Sequence, residues 1–290
     1  MHQARINIIG CGRAAGSLAR LWGQAGTVHI GGVYNRSLQS SRMAVDALGA
    51  GRALASLDQF QAADYWLIGT SDEQIAPAAE QISQAWPDLR ESTVFHLCGR
   101  YGTEVLAPLA ANGCRCAAVH PVRSLTNEHI SLEEFRGTAF VAEGSTATLD
   151  TLRPLFDSIG GVWLPVKNID RGLYHAALSV ISNVTKGVAW KAQNWLEHAG
   201  IPAEMAASVS QKLLAITLAD ITRSGAKQSI TGPIVRGDTR TVEAHLNALE
   251  EGYPDDVDIY RVLARIVVDL ARDRGDLDAA KLQHFEFLLK

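Results

Sequence analysis

Two rhythms divide the chain. As far as about Lys167, short apolar runs rich in β-formers recur: RINIIG, VHIGGVY, DYWLIG, TVFHLCG, CRCAAVH, TAFVAEG and GVWLPVK. They lack polar alternation, as strands of a parallel sheet covered on both faces must. Helix-like stretches at Ala14 to Gln24, Leu38 to Leu48, Asp72 to Gln84 and Thr146 to Ile159 supply the crossovers. From Asp170 the strands stop. Leu173, Ala177, Leu178, Ile181, Val184, Val188, Ala189 and Trp195 return every three or four residues, which predicts one long helix from Asp170 to His198, ended by Gly200 and Pro202. Further helices are predicted at Ala203 to Arg223, Thr239 to Leu249, Asp255 to Asp273 and Asp276 to Leu289. The expectation is a doubly wound α/β sheet over residues 1–168, followed by an all-α domain over residues 169–290.

Composition narrows the partners. The 290 residues are 47% apolar and 20% charged, enough core and surface for two globular domains. A formal net charge of -4, with both signs scattered, provides no basic face for nucleic acid and no polybasic membrane patch. No apolar run reaches the roughly 18 to 20 residues needed to span a bilayer, and MHQARINIIGCG enters a strand directly, without a signal-peptide pattern. Cys11, Cys98, Cys114 and Cys116 sit in or beside strand-like runs rather than in a disulfide spacing, which fits a reducing cytoplasm. Cys114 and Cys116, with His120 nearby, lack the second ligand pair that zinc sites show, so they read as buried thiols and no metal is expected.

The first strand runs into IIGCGRAAGSLARLWGQAG, where a turn joins strand to helix. Gly10 permits a tight turn, Gly12 lets the backbone approach a pyrophosphate, and Ala15 or Gly16 lets helix pack closely on strand. Free N–H groups at the helix start, near Arg13 and Ala14, then face the phosphates of a dinucleotide. The second strand ends in Asn35, Arg36 and Ser37, where a site for NAD usually carries an acidic residue. A guanidinium among small polar groups suits a 2′-phosphate, so NADP is expected over NAD; the other reading is a surface arginine with Ser37 capping the next helix. Thr70, Ser71, Cys98 and Gly99 complete the expected cofactor set.

For proton donors, His120 stands before Pro121 at a strand end, where open α/β sheets bind ligands. On the long helix, His175, Ser179, Ser182 and Lys186 step by four, three and four, and Asn183 follows Ser179 by four, which predicts one polar stripe. His175 or Lys186 is the candidate donor there; the alternative is that His175 and Asn183 satisfy helix or interdomain hydrogen bonds. Later, ITGPIVRGDTR breaks the helical region: Gly232 and Pro233 end one helix, Asp238 can cap the next, and Arg236 between them is a rigid fork for a carboxylate or phosphate.

Taken together, NIIGCGRAAGSLA, YNRS, AVHPVRSL, YHAALSVISN and TGPIVRGDTRTVEAHL resemble a group of proteins in which a Rossmann-like domain precedes the domain of unknown function 2520. That group is related to pyrroline-5-carboxylate reductases and β-hydroxyacid dehydrogenases. The resemblance spans nearly the whole chain. It implies a C-terminal domain like that of 6-phosphogluconate dehydrogenase, homodimerisation through it, and a substrate cleft between domains. Two departures stand out: His96, Leu97, Cys98 and Gly99 replace the group's usual His-Thr-Ser-Gly, and Ser179 occupies the position where β-hydroxyacid dehydrogenases carry a lysine four residues before Asn183. The expected function is NADP-dependent hydride transfer to a C=O or C=N bond of a small, carboxylate-bearing substrate. The alternative is a non-catalytic NADP(H)-binding sensor or partner protein.

Overall fold

The computed structural model describes residues 3–125 and 130–290. The chain divides into two compact units, Met1–Asn183 and Val184–Lys290.

In the first unit, strands and helices alternate: β1 (Ala4–Ile9), α1 (Arg13–Gln24), β2 (Val28–Tyr34), α2 (Leu38–Leu48), β3 (Arg52–Leu54), β4 (Tyr65–Ile68), α3 (Ile75–Ala85), β5 (Thr93–His96), α4 (Ala107–Ala111) and β6 (Arg115–Pro121). They are followed by α5 (Leu132–Phe135), β7 (Ala139–Gly144), α6 (Thr146–Asp157) and β8 (Val162–Pro165). The strands form one sheet in the order β3-β2-β1-β4-β5-β6-β7-β8. Every pair through β6 is parallel. The chain builds outward from β1 to β3 and then returns to β4, so a crevice opens beyond the C-terminal ends of β1 and β4.

Two features depart from the sequence pattern. β3 is three residues long, too short for a periodic signal. β7 runs antiparallel to β6, and β8 parallel to β7, because hydrophobic patterning marks a strand without giving its direction.

Apolar clusters cover both faces of the sheet. On one face Trp22, Phe95 and Phe156 meet edge to face with centroids 5.6 to 6.3 Å apart. On the other, Ile9, Trp66, Ile68, Ile82, Val94 and Leu106 pack together. Burying each such side chain contributes about 1.5–3 kcal/mol, which fixes the strand ends where the site lies.

Asp170 caps α7 (Arg171–Ser179), its carboxylate accepting the Leu173 N–H at 2.9 Å. A π turn follows at Val180–Val184 before α8 (Thr185–His198). The run is helical as expected, and the π turn at Val180–Val184 interrupts the α-helical period on which the expected polar stripe rests. β-Branched Val180, Ile181, Val184 and Thr185 beside Ser182 and Asn183 make this a poor α-helical segment.

The second unit is helical: α8, α9 (Ala203–Ser224), α10 (Ala226–Ser229), α11 (Pro233–Arg236), α12 (Thr239–Gly252), α13 (Val257–Arg274) and α14 (Ala279–Leu288). Its core joins Ile234, Val242, Leu246, Val268, Ala271 and Phe285. Buried Asp256 accepts from Lys191 Nζ at 2.7 Å and Trp195 Nε1 at 3.0 Å, tying α8 to the start of α13.

Candidate functional site

The turn after β1 is shaped as a nucleotide cradle requires. Gly10 has φ +81°, and a Cβ there would lie 2.6 Å from Thr70 Cγ2, so only glycine fits both backbone and space. At Gly69, just after β4, an added Cβ would lie 2.4 Å from Ala15 Cβ, so the start of α1 presses directly on that strand end. Gly12 caps α1 without a side-chain bond, and its own Cβ position meets nothing nearer than Gly69 O at 3.8 Å. Gly12 thus leaves room beside the first turn of α1, whose N–H groups and helix dipole favour an anion there.

Neighbouring residues hold this turn. Asn35 accepts the Cys11 N–H at 2.8 Å and donates to Ser40 O at 3.0 Å, joining β1 to α2. Ser37 caps α2 by accepting the Ser40 N–H. Arg36 and Arg13 are exposed and have no partner among the described residues. Thr70 Oγ1 donates to Ser71 O at 3.2 Å. Asn35 and Ser37 thus build the turn, while Arg13 and Arg36 keep uncommitted guanidinium groups.

The polar chemistry lies at the ends of β5 and β6. Fully buried His96 places Nε2 2.8 Å from Gly102 O, and its Nδ1 accepts the Cys98 N–H at 3.2 Å. That pairing assigns the proton to Nε2, and burial lowers the imidazole's pKa, so His96 is a neutral brace for the loop carrying Cys98 and Gly99. Burial and the Asp72 carboxylate, which accepts from the Cys98 thiol, push Cys98 up to about 11, so it remains a thiol at neutral pH.

His120 stacks against the backbone of Gly99, where an added Cβ would lie 2.9 Å from the ring. Its Nδ1 is 2.8 Å from the Tyr174 hydroxyl, and its ring centroid 6.4 Å from that of His175. Burial, then the charges of His175 and Arg171, lower His120 to about 4. Burial raises Tyr174. At neutral pH both groups are uncharged, and the phenol keeps the proton it can give.

Behind Tyr174, Arg171 holds Glu143 Oε2 through Nε at 2.9 Å and Nη2 at 2.5 Å. Tyr174, Arg171, Glu143, His96 and Gly69 were not among the residues expected from the sequence. Tyr174 was visible in YHAALSVISN and His96 in the stretch before Cys98 and Gly99; Arg171, Glu143 and Gly69 gave no signal, because their partners are distant in sequence.

The remaining expected residues are placed as follows. His175 joins His120, whereas Ser179 and exposed Asn183 lie further along the helical run. Lys186 belongs to the second unit, as do Gly232, Arg236 and Asp238. There Gly232 and Gly237 have φ +108° and +71°, bracketing α11. Asp238 caps α12, accepting from Thr241 N–H at 3.1 Å and Thr241 Oγ1 at 2.6 Å. Exposed Arg236 ends α11 without a hydrogen bond or ion pair among the described residues, its charge acting on nearby Asp238.

Two surface depressions, of about 340 and 490 Å³, lie around Gly144, Val166 and Lys167. Gly144 pairs with Ala117 near the start of β6, so they sit at the opposite end of the strands from the cradle. Among the described residues no His, Cys, Asp and Glu group as three or more to hold a metal, and no helix is long and apolar enough to cross a membrane.

Residues 1–121 match the Rossmann-like domain family, and residues 138–267 match the domain of unknown function 2520. The chain joins these two domains. The first match ends with β6 and the second begins beside β7, so the antiparallel β6–β7 pair is where they meet. No curated protein matches the chain by sequence. Among solved structures, the candidate NADP oxidoreductase BF3122 from Bacteroides fragilis is 20% identical, with 92% of this chain and 98% of that one covered at a TM-score of 0.74. Protein TM1727 from Thermotoga maritima is 20% identical, with coverage of 93% and 99% and a TM-score of 0.71. Pyrroline-5-carboxylate reductase from Coxiella burnetii is 17% identical over 100% of both chains, at a TM-score of 0.59. At these identities the likeness is one of fold.

Proposed function

We propose that this protein is an NADP-dependent oxidoreductase that delivers hydride to a C=O or C=N bond of a small, carboxylate-bearing molecule. The observation that carries the reading is the His120–Tyr174 pair. It provides an uncharged, proton-bearing phenol at the C-terminal edge of the same sheet whose β1 turn forms the cradle.

The cradle fits the cofactor. Gly10 and Gly12 keep side chains out of the turn, the first turn of α1 has no side-chain cap among the described residues, and Arg13 and Arg36 have charge to offer a 2′-phosphate. When bound, the reduced nicotinamide supplies the hydride. The protein's part is to hold the acceptor carbon in place and give a proton to the oxygen or nitrogen that gains charge. Tyr174 is the donor; neutral His120, in the tautomer with the proton on Nδ1, orients the hydroxyl and donates to the tyrosine oxygen as that oxygen gives its proton away. The fold neighbours named for NADP oxidation–reduction and for a carboxylated cyclic imine support the same class.

In this reading residues 1–168 hold the cofactor, and residues 169–290 provide substrate contacts and the dimer interface, with Arg236 binding the substrate carboxylate. A second copy of the chain is the expected partner. α9 buries only Ala206 while Met205, Val209, Leu213, Ile216, Leu218 and Ile221 are exposed, a pattern that belongs against another protein surface.

Ser179, in place of a lysine, favours the second reading, a protein that binds NADP(H) without turning it over. Thermal melts with NADPH and NADH, then NADPH oxidation with a panel of 2-keto acids and cyclic imines, separate the two. Ligand at 100 times Kd should add about 2.7 kcal/mol. No shift with either nucleotide removes both readings, and a shift without oxidation of NADPH by any panel member removes the enzyme.

A further inference from the structure

Arg171 is in an unfavourable place for stability alone. It is the first residue of α7, where the helix dipole disfavours a cation, and its side chain is only 9% exposed. Nε and Nη2 both bond one oxygen of Glu143, while Nη1 is buried without a hydrogen-bond partner among the described residues. A buried donor left unmatched is destabilising, and such violations concentrate where function demands a geometry.

The sheet shows what the geometry is. His96 pairs with Ala118, and Ala118 with Glu143, so these three form one row on one face; His120, two residues beyond Ala118, shares that face. Only the methyl of Ala118 stands between His96 and Glu143 in the row. Arg171 reaches this row from α7, with its guanidinium carbon 5.9 Å from the centre of the Tyr174 ring. Tyr174 follows Arg171 by three positions, on the same side of the helix.

We propose that Arg171 is a positioning residue: clamped on Glu143, it fixes the first turn of α7 so that Tyr174 holds its hydroxyl on His120 Nδ1. This rests on the reading of His120 and Tyr174 as the proton source. Its charge acts on the same pair. Among the described residues, the groups facing His120 are Tyr174, His175 and Arg171 from α7, His96 from β5, and Asp72 from the turn before α3. Of these, Arg171 and the two histidines disfavour imidazolium, and Asp72 opposes them.

The test uses the full chain carrying Arg171→Met or Arg171→Lys, with the ring protons of His120 followed by NMR titration and assigned from a His120→Gln variant. In R171M the His120 midpoint should rise by about one pH unit or more, as loss of a near cation allows. NADPH oxidation with the 2-keto acid and imine panel should fall about 10²-fold in kcat, as misplacement of a reacting group does, with NADPH affinity unchanged. R171K keeps the charge and loses the two-nitrogen clamp, so its kcat should fall while its His120 midpoint stays near that of the parent.

A purely structural role predicts lower melting temperatures, with His120's midpoint and the pH–rate profile unmoved in the folded fraction. That outcome in R171M overturns the proposal. If R171M does not fold, an unchanged kcat in R171K overturns it. If the parent protein turns over no panel member, the proton-source reading fails. The His120 midpoint and its contact with Tyr174 then still decide whether Arg171 sets the pair's geometry.

Discussion

The Tyr174 hydroxyl stands 2.8 Å from Nδ1 of His120, 54 residues earlier in the chain, and joins the first turns of α7 to the end of β6. The contact makes one hydrogen-bonded unit of a phenol that keeps its proton and an imidazole that stays neutral.

Tyr174→Phe removes the proton and little else. Turnover of NADPH should drop by about 10² to 10⁴, the usual contribution of a positioned acid, while NADPH binding is retained. Stopped-flow measurement of NADPH oxidation beside a binding titration checks this, and unchanged turnover excludes Tyr174 as donor.

Gly99→Ala tests the ring's seat. Gly99 does not have a positive φ, so alanine strains no backbone there; its Cβ meets the His120 ring at 2.9 Å and must displace it. The expected result is loss of turnover comparable to that of Tyr174→Phe, with a fall of only about 1–3 kcal/mol in stability. A crystal structure of the variant should show the imidazole moved off Tyr174.

Stability should depend on pH through His120. Its folded pKa of about 4 lies below the ordinary 6.5, so between these values the unfolded chain binds a proton that the folded one does not. Stability is therefore full above 6.5 and declines as pH falls toward 4. At 1.36 kcal/mol per unit the loss is about 3 kcal/mol. Buried His96 shifts in the same direction and adds to it. Urea melts between pH 7 and 4 should show this slope, and His120→Gln should flatten it; an equal slope in both removes His120 as its origin.

Arg36→Ala should weaken NADPH binding while leaving NADH binding nearly intact, because only the former carries the 2′-phosphate. Calorimetric titration with each nucleotide measures the ratio. Equal losses for both nucleotides contradict the assignment.

The α9 surface predicts self-association. Leu213 and Ile216 are 62% and 60% exposed, and a glutamate at Ile216 should place a charge in the dimer interface. Light scattering should find a dimer for the parent and a monomer for Ile216→Glu. A monomeric parent rules out the interface.

Much of this was legible in the residues. IIGCGRAAG marked the turn because glycine's backbone freedom and the following helix are local properties, and Gly10 at φ +81° shows the constraint directly. Asp238 as a helix cap was equally local. The π turn was not legible: its sequence still reads as α-periodic, and the loosening is a small local preference that periodicity does not resolve. β7's direction was hidden for a related reason, since inward-facing residues alternate identically in either sense.

The sequence by itself determined the alternation of strand and helix, the cradle after β1 and the change to helices beyond Asp170, because these follow from short-range periodicity and backbone preference. Tertiary structure alone decided the chemistry. It set His120 on Gly99, brought Tyr174 to its Nδ1, and matched Arg171 with Glu143 across 28 positions of sequence. Proton affinity depends on burial and on charges a few ångströms away, and only the folded chain fixes which groups those are.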